Sequence, residues 1–243
     1  MREYRHSHLQ YISLVYDFKN HVENYWCRFV RRLNHRVSRK SATLLRRVFA
    51  VIILRINVDI LEAISSRRSI KTYKEGPISE QSIRDLLEIA VLAPNHRMTQ
   101  PWRFYVMGPK SRAKFGIALG RRKAKKLEDK EAALAVITKV EEGHRSLPAM
   151  LAVGIKLDDN PEIREEDYAA TYMAIQNLSL AACSMGLGTH VKTGAIMDDP
   201  YARSAIEVKP EERIIATISI GEPSRVPGPK SRKTATDLTT WTP

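Results

Sequence analysis

Arg67-Arg68-Ser69-Ile70-Lys71 and, farther along, Asn95-His96-Arg97-Met98-Thr99-Gln100-Pro101-Trp102 are the two stretches on which the reading of this chain turns. The first places three cations and a hydroxyl within five residues, directly after a short helical stretch. Alternate residues of an extended backbone share a face, so Arg67, Ser69 and Lys71 can converge on one ligand. An Arg fork and a Ser hydroxyl suit phosphate oxygens, and a Lys farther along that face reaches a second electron-rich group. The competing explanation is an ordinary basic helix exit, where cations meet the negative end of the helix dipole. The second stretch is a polar turn running into an apolar strand, and it suits a flat polar heterocycle. Together the two point to a phosphorylated aromatic cofactor.

The rest of the composition narrows the class. A chain of 243 residues can bury a full core, so one domain plus appendages is expected. With 43% hydrophobic and 28% charged residues it reads as a soluble globular protein. Two cysteines, Cys27 and Cys183, provide neither a disulfide framework nor metal-ligand spacing, and a cytoplasmic location is expected. The net charge of +13 is unevenly spread. Residues 1–57 hold 12 Lys and Arg against 3 Asp and Glu, whereas residues 58–243 hold 28 against 24. Nucleic-acid binding by the whole protein therefore does not follow from its pI.

Residues 1–57 form a segment of their own, aromatic and His-rich first, then Arg-rich. Three readings stand side by side: a targeting or membrane-surface segment, a basic arm for phosphate backbones, or a start-site artefact without selected function. Its apolar run, Val48–Leu54, has seven residues and is too short to span a bilayer.

From residue 58 onward the periodicities predict an α+β or α/β sandwich. A short helix is expected over Asp59–Ser66, with Ile60, Leu61, Ala63 and Ile64 available for burial. Ser79 caps a second helix in which Ile83, Leu86, Leu87, Ala90 and Val91 recur at helical spacing. Strands are expected at Trp102–Met107, Ala149–Leu157 and, most clearly, Arg213–Ile220. A charged helical region fills residues 110–145. A long helix over Glu165–Met185 is apolar nearly all round, which places it centrally, and Gly186 stops it. Gly186–Gly194 reads as a turn and Asp199–Ile206 as a short helix. The Pro-, Lys- and Arg-rich tail from Gly221 has little of its own to bury.

Six motifs in order resemble the nitroreductase family of FMN-dependent oxidoreductases. They are Arg-Arg-Ser-x-Lys-x-Tyr at 67–73, Ala-Pro-Asn-His at 93–96, Gln-Pro-Trp-Arg-Phe at 100–104, Gly-Leu-Gly-Thr-His-Val-Lys-Thr-Gly at 186–194, Ile-Gly-Glu-Pro at 220–223, and Arg232 preceding Asp237–Trp241. The resemblance runs from about Asp59 to Trp241, and the Asn95-His96 version looks most like the small bacterial NAD(P)H nitroreductases. It implies a three-layer sandwich with a mostly antiparallel sheet flanked by helices, in a domain-entwined homodimer with FMN at the interface. It also implies NAD(P)H as co-substrate, alternating with a nitroaromatic or quinone acceptor on the same flavin face.

By the same resemblance, Arg67 and Ser69 match positions that hold the FMN phosphate and ribityl chain, with Arg68 supporting them. Lys71 matches a cation beside the flavin ring, where it favours negative charge on that ring. His96, Met98 and Gln100 match a loop that contacts the flavin of the partner subunit. Val191, Lys192 and Thr193 match a segment lining the ring or phosphate end, and Arg232 a late cation closing on the phosphate. Many relatives have Asn at the Met98 position and Trp at the Val191 position, departures that bear on substrate more than on cofactor. Family-internal rivals are a flavin-fold dehalogenase and a flavin-modifying enzyme. A rival of another class is a membrane- or nucleic-acid-binding protein acting through residues 1–57.

Other chemistry finds less support. Gly186-x-Gly188 lacks the third glycine of a dinucleotide fingerprint, and no Walker or zinc pattern occurs. Glu165-Glu166-Asp167 reads as helix N-terminal acids favoured by the dipole, not as a catalytic carboxylate pair. His190 reads as a packed or turn histidine, Cys183 as a small core residue, and Tyr168, Tyr172 and Met173 as core or dimer contacts.

Overall fold

The computed structural model describes residues 60–243. The readings of the basic segment 1–57 fall outside the described residues.

The clearest sequence strand forms the centre of the sheet. Strands β1 (Trp102–Val106), β2 (Ala149–Lys156), β3 (Gly188–Lys192) and β4 (Glu212–Gly221) are arranged in the order β1-β2-β4-β3, each pair antiparallel. β2 and β4 are buried almost throughout, which explains their unbroken apolar runs: helices cover both faces.

Side-chain alternation sorts the core into two layers. Leu151, Val153 and Ile155 of β2 join Ala216, Ile218 and Ile220 of β4 against α2 (Glu80–Ala90) and α5 (Pro161–Ser184). Met150, Ala152 and Ile214 face the other way, onto Phe115 and Ala118 of α3 (Pro109–Ala124) and Ala202, Ala205 and Ile206 of α6 (Pro200–Ile206). The register between β2 and β4 shifts between Val153 and Gly154, leaving Ile215 as the extra residue. That bulge lets adjacent Ile215 and Ala216 both serve the α2/α5 layer. α4 (Lys130–Arg145) packs on α3, and the approach is close: a Cβ at Gly116 or Gly120 would lie 2.8 Å from the Cα of Glu141 or Ile137. The result is the expected helix–sheet–helix α+β sandwich.

Helix ends follow local chemistry. Ser79 Oγ accepts the Ser82 N–H at 3.0 Å at the start of α2. At the end of α5, Gly186 takes a φ of 74°, so the Leu187 N–H reaches the Ala182 carbonyl at 2.8 Å and the Gly186 N–H that of Cys183 at 3.1 Å.

Several expectations need correction. Gly186–Gly194 is not simply a turn: Gly188–Lys192 is an edge strand, because its backbone pairs with Thr217–Gly221 of β4. α5 begins at Pro161, with Asn160 Oδ1 accepting the Glu162 N–H at 3.0 Å, so Glu165–Asp167 lie inside the helix instead of at its start. α1 (Ile60–Ser66) buries Ala63 alone, leaving Ile60, Leu61 and Ile64 exposed. Tyr172 and Met173 are also exposed, whereas Tyr168 is partly buried against the core. Cys183 is half-buried beside Ser66, Sγ to Oγ 3.6 Å, and so is not a core residue. No helix among the described residues is long and apolar enough to cross a membrane.

Candidate functional site

The segment after α1 is added to the sheet edge as an extra extended strip. Ser69 bridges Thr189 of β3 in parallel, and the Ile70 N–H donates to the Thr189 carbonyl at 2.9 Å. Ile70 is 3% exposed and anchors the strip inward, so Ser69 and Lys71 on either side stay exposed. Farther along, the Tyr73 hydroxyl lies 2.8 Å from the Ile70 carbonyl and 3.1 Å from that of Ser219. Burial pushes the Tyr73 phenol well above its ordinary range, so it remains a donor. Lys74 pairs with Glu222, and the Ser224 N–H donates to the Thr72 carbonyl at 3.2 Å.

This strip forms one wall of a cavity of about 590 Å³, and the chain after β4 forms the other. Arg67, Arg68, Ser69 and Lys71 line the first wall; Arg225, Lys230 and Arg232 line the second. Among the described residues the lining thus carries six cations and three hydroxyls, those of Ser65, Ser69 and Thr72, and no carboxylate. Arg68 is partly committed elsewhere: its guanidinium donates to the carbonyls of Ser65 at 2.7 Å and Arg67 at 2.9 Å, closing the end of α1.

Val191, Lys192 and Thr193 do not act as one surface. Val191 packs on the α2/α5 layer, and Thr193 is exposed beyond the strand. His190 and Lys192, by alternation, share the opposite face. Burial pushes the His190 imidazole down, and Lys192 and then Lys71 push it further, so Lys71's charge is felt at β3. Lys192 is likewise lowered, by burial first and by Lys123 second. His190 is therefore a half-buried strand residue facing two lysines, not a turn histidine.

His96, Met98 and Gln100 lie elsewhere. They belong to a short loop with left-handed backbone at Arg97, Met98 and Gln100 (φ 61°, 51° and 46°). The loop rests on the first turns of α5. His96 Nδ1 is 2.8 Å from a Glu166 oxygen, Arg97 bonds Glu166 at 3.2 Å and Glu162 at 3.1 Å, and Thr99 donates to buried Asp167. The strip that lines the cavity, by contrast, starts just after Ser66, which lies beside Cys183 near the far end of α5. Seventeen residues separate Glu166 from Cys183. At 1.5 Å per residue the loop and the cationic strip stand about 25 Å apart along the helix.

One long helix thus has the polar loop at its start and the cationic strip near its end. The profile of the nitroreductase family matches residues 64–222. The chain belongs to the nitroreductase family. Among its relatives, YfhC of Bacillus subtilis, provisionally named an NAD(P)H nitroreductase, is 35% identical over 176 residues, 70% of this chain and 88% of that protein. A nitroreductase-like family protein from Bacillus cereus superposes with a TM-score of 0.68 at 27% identity, covering 76% of this chain and 97% of that one. A provisionally named nitroreductase of Desulfovibrio desulfuricans, solved in complex with FMN, gives a TM-score of 0.59 at 24% identity, covering 77% and 98%, and speaks to fold.

Two lining residues of this nitroreductase-family chain, Arg225 and Lys230, were not singled out from sequence. The signal was the basic, Pro-rich tail, but nothing local says that it folds back across residues 67–71. Glu166 and Asp167 were read as dipole acids, and their contacts to residues 96–99 span about seventy positions, beyond the reach of a local pattern.

Proposed function

We propose that this chain is an FMN-dependent oxidoreductase that takes hydride from NAD(P)H and reduces nitroaromatic, quinone or similar acceptors in alternating turns. The observation that carries the reading is the cavity lined by six cations and Ser69 with no carboxylate among the described residues, a lining that fits a phosphate monoester. The NAD(P)H in the provisional name of the Bacillus subtilis relative, and the FMN in the Desulfovibrio desulfuricans structure, support the same reading.

When bound, FMN supplies the redox chemistry, accepting hydride and releasing electrons to the second substrate. Arg67, Ser69 and Arg232 hold the phosphate, and Arg68 keeps the end of α1 closed around them. Lys71, on the same strip but farther along, sets a positive charge beside the ring and lowers the cost of added negative charge there. Lys192 and His190 border that end, and His190, held neutral, offers a lone pair or an N–H without adding charge. No side chain of the cavity is required as acid or base for hydride transfer itself.

The cofactor-facing loop of residues 95–100 comes from a second copy. A loop about 25 Å from the strip on its own helix cannot close the same cavity. The exposed Ile60, Leu61, Ile64, Tyr172 and Met173 on α1 and α5 supply apolar surface for such a homodimer. Donor and acceptor then share one open face, and parallel-line kinetics result. The location is cytoplasmic, and no nucleic acid is involved.

Purification tests this reading. The protein should emerge yellow, or turn yellow with FMN, run as a dimer, and bleach with NAD(P)H until an acceptor restores the colour. A colourless protein that takes up no FMN would refute it.

A further inference from the structure

Three left-handed residues within four positions are costly for side chains other than glycine, and they persist only where surroundings enforce them. Arg97, Met98 and Gln100 are such a set, and none is glycine. What enforces them is legible in two layers of hydrogen bonds.

Within the loop, Asn95 is the hub. Its Oδ1 accepts the Gln100 N–H at 2.6 Å, while its Nδ2 donates to the His96 carbonyl at 3.1 Å and to Thr99 Oγ1 at 3.0 Å. Beneath the loop, α5 presents carboxylates in consecutive positions. Asp167, only 3% exposed, accepts the Thr99 hydroxyl. Glu166 takes His96 on one oxygen and Arg97 on the other. Glu162, one helical turn earlier, takes the second arm of Arg97. The loop and helix are thus joined by carboxylate contacts at His96, Arg97 and Thr99, the last to a buried Asp167. Met98, 62% exposed, is turned outward by the loop.

We propose that Asp167 and Glu166 are positioning residues for the cofactor-contacting loop. They hold residues 95–100 in a strained conformation that presents His96, Met98 and Gln100 to the flavin before it arrives. The inference rests on the proposed flavin function and adds to it the device that presets the loop. Asp167 acts through Thr99, and Glu166 through His96 and Arg97; neither touches the cofactor. Asp167 is the stronger anchor, because a buried carboxylate that loses its donor has no water to replace it. Preorganisation of this kind raises affinity by removing the ordering that binding would otherwise require.

The test compares the unsubstituted dimer with Thr99→Val, Thr99→Ser, Asp167→Asn and Glu166→Gln. Three readings are taken: FMN dissociation constant, hydrogen exchange of the 95–100 amides in cofactor-free protein, and melting temperature. Thr99→Val, a loop change that spares the helix, should speed exchange of those amides at least tenfold. It should also weaken FMN by a similar factor at temperatures well below the melting transition, even where the unpaired Asp167 carboxylate lowers the melting temperature. Thr99→Ser keeps the hydroxyl and should restore both. Asp167→Asn keeps an oxygen that can accept the Thr99 hydroxyl, so it and Glu166→Gln should show the same pattern more weakly.

A merely structural contact would lower the melting temperature and loosen α5 and the sheet generally, leaving FMN affinity at low temperature unchanged; that result would overturn the proposal. So would unchanged exchange in Thr99→Val. If the unsubstituted protein takes up no FMN, the flavin reading fails, and the positioning role falls with it. That outcome is distinguished from failure of the clamp alone because the latter occurs with the parent fully loaded.

Discussion

Gly188 lies directly beneath Ile70: a Cβ on Gly188 would come within 2.7 Å of the Ile70 Cβ. That contact lets the strip carrying Arg67, Ser69 and Lys71 lie flush on β3 and form the Ile70–Thr189 hydrogen bond. Ile70 is 3% exposed and cannot swing away, so the backbone must give. Gly188→Ala should therefore destabilise by about 1–3 kcal/mol, the usual cost of overpacking. Because the strip shifts as a unit, FMN retention should fall as well. Gly143→Ala, in a helix with open space at its Cβ, is the control and should be neutral or slightly stabilising. Denaturant melts with FMN titration check both.

At the other edge of the sheet, buried Glu212 accepts the Tyr105 hydroxyl and lies 3.5 Å from Arg103 Nε. Glu212→Ala leaves a phenol and a guanidinium without their acceptor and should cost about 1–3 kcal/mol. Tyr105 is pushed up to about 12, by its burial first and by Glu212 second. Its folded value exceeds its ordinary 10.0, so its contribution to stability is complete below pH 10 and declines as pH rises toward 12. The absorbance titration of the parent minus Tyr105→Phe reads this directly. In Glu212→Gln the midpoint should move down toward the ordinary value.

Glu166 titrates in the opposite sense. His96, and after it Arg97, hold its carboxyl below the ordinary 4.5. A depressed carboxyl contributes stability above its unfolded value and loses it as pH falls through the depressed one. FMN affinity governed by the loop should fall as pH drops below the ordinary carboxylate range. In Glu166→Gln the Glu166 contribution to that acid limb should disappear. Dissociation constants across a pH series, with protein integrity followed by circular dichroism, test the sign.

The layers of this fold were legible where local pattern and tertiary role coincide. Ile214, Ile218 and Ile220 declare a buried strand, and Ser79 with Ile83, Leu86 and Ala90 declares a capped amphipathic helix. β3 was not legible, because Gly186, Gly188 and Gly194 look like turn punctuation. The strand exists through pairing with β4, a contact no window around residue 190 contains. The start of α5 is legible in the sequence: Asn160-Pro161 is a cap followed by the helical position that suits proline.

The site divides in the same way. Arg67, Ser69 and Lys71 could be grouped from spacing, and the cavity brings Arg232 to them. The membership of Arg225 and Lys230 depends on how the tail folds back. The acids beneath residues 95–100 depend on a helix seventy positions away. Long-range charge pairing leaves no periodicity to read.

The central claim is that the strip from Arg67 to Lys71, together with Arg232, holds a flavin by its phosphate. Parallel titrations with FMN and riboflavin, which differ by that phosphate alone, test it most directly. Charge-assisted contacts are worth roughly 1.5–3 kcal/mol each, so two of them should favour FMN by about a hundredfold or more. In Arg67→Ala combined with Ser69→Ala, FMN affinity should drop toward that of riboflavin, while riboflavin binding changes little. Equal affinity of the unsubstituted protein for FMN and riboflavin would contradict the account.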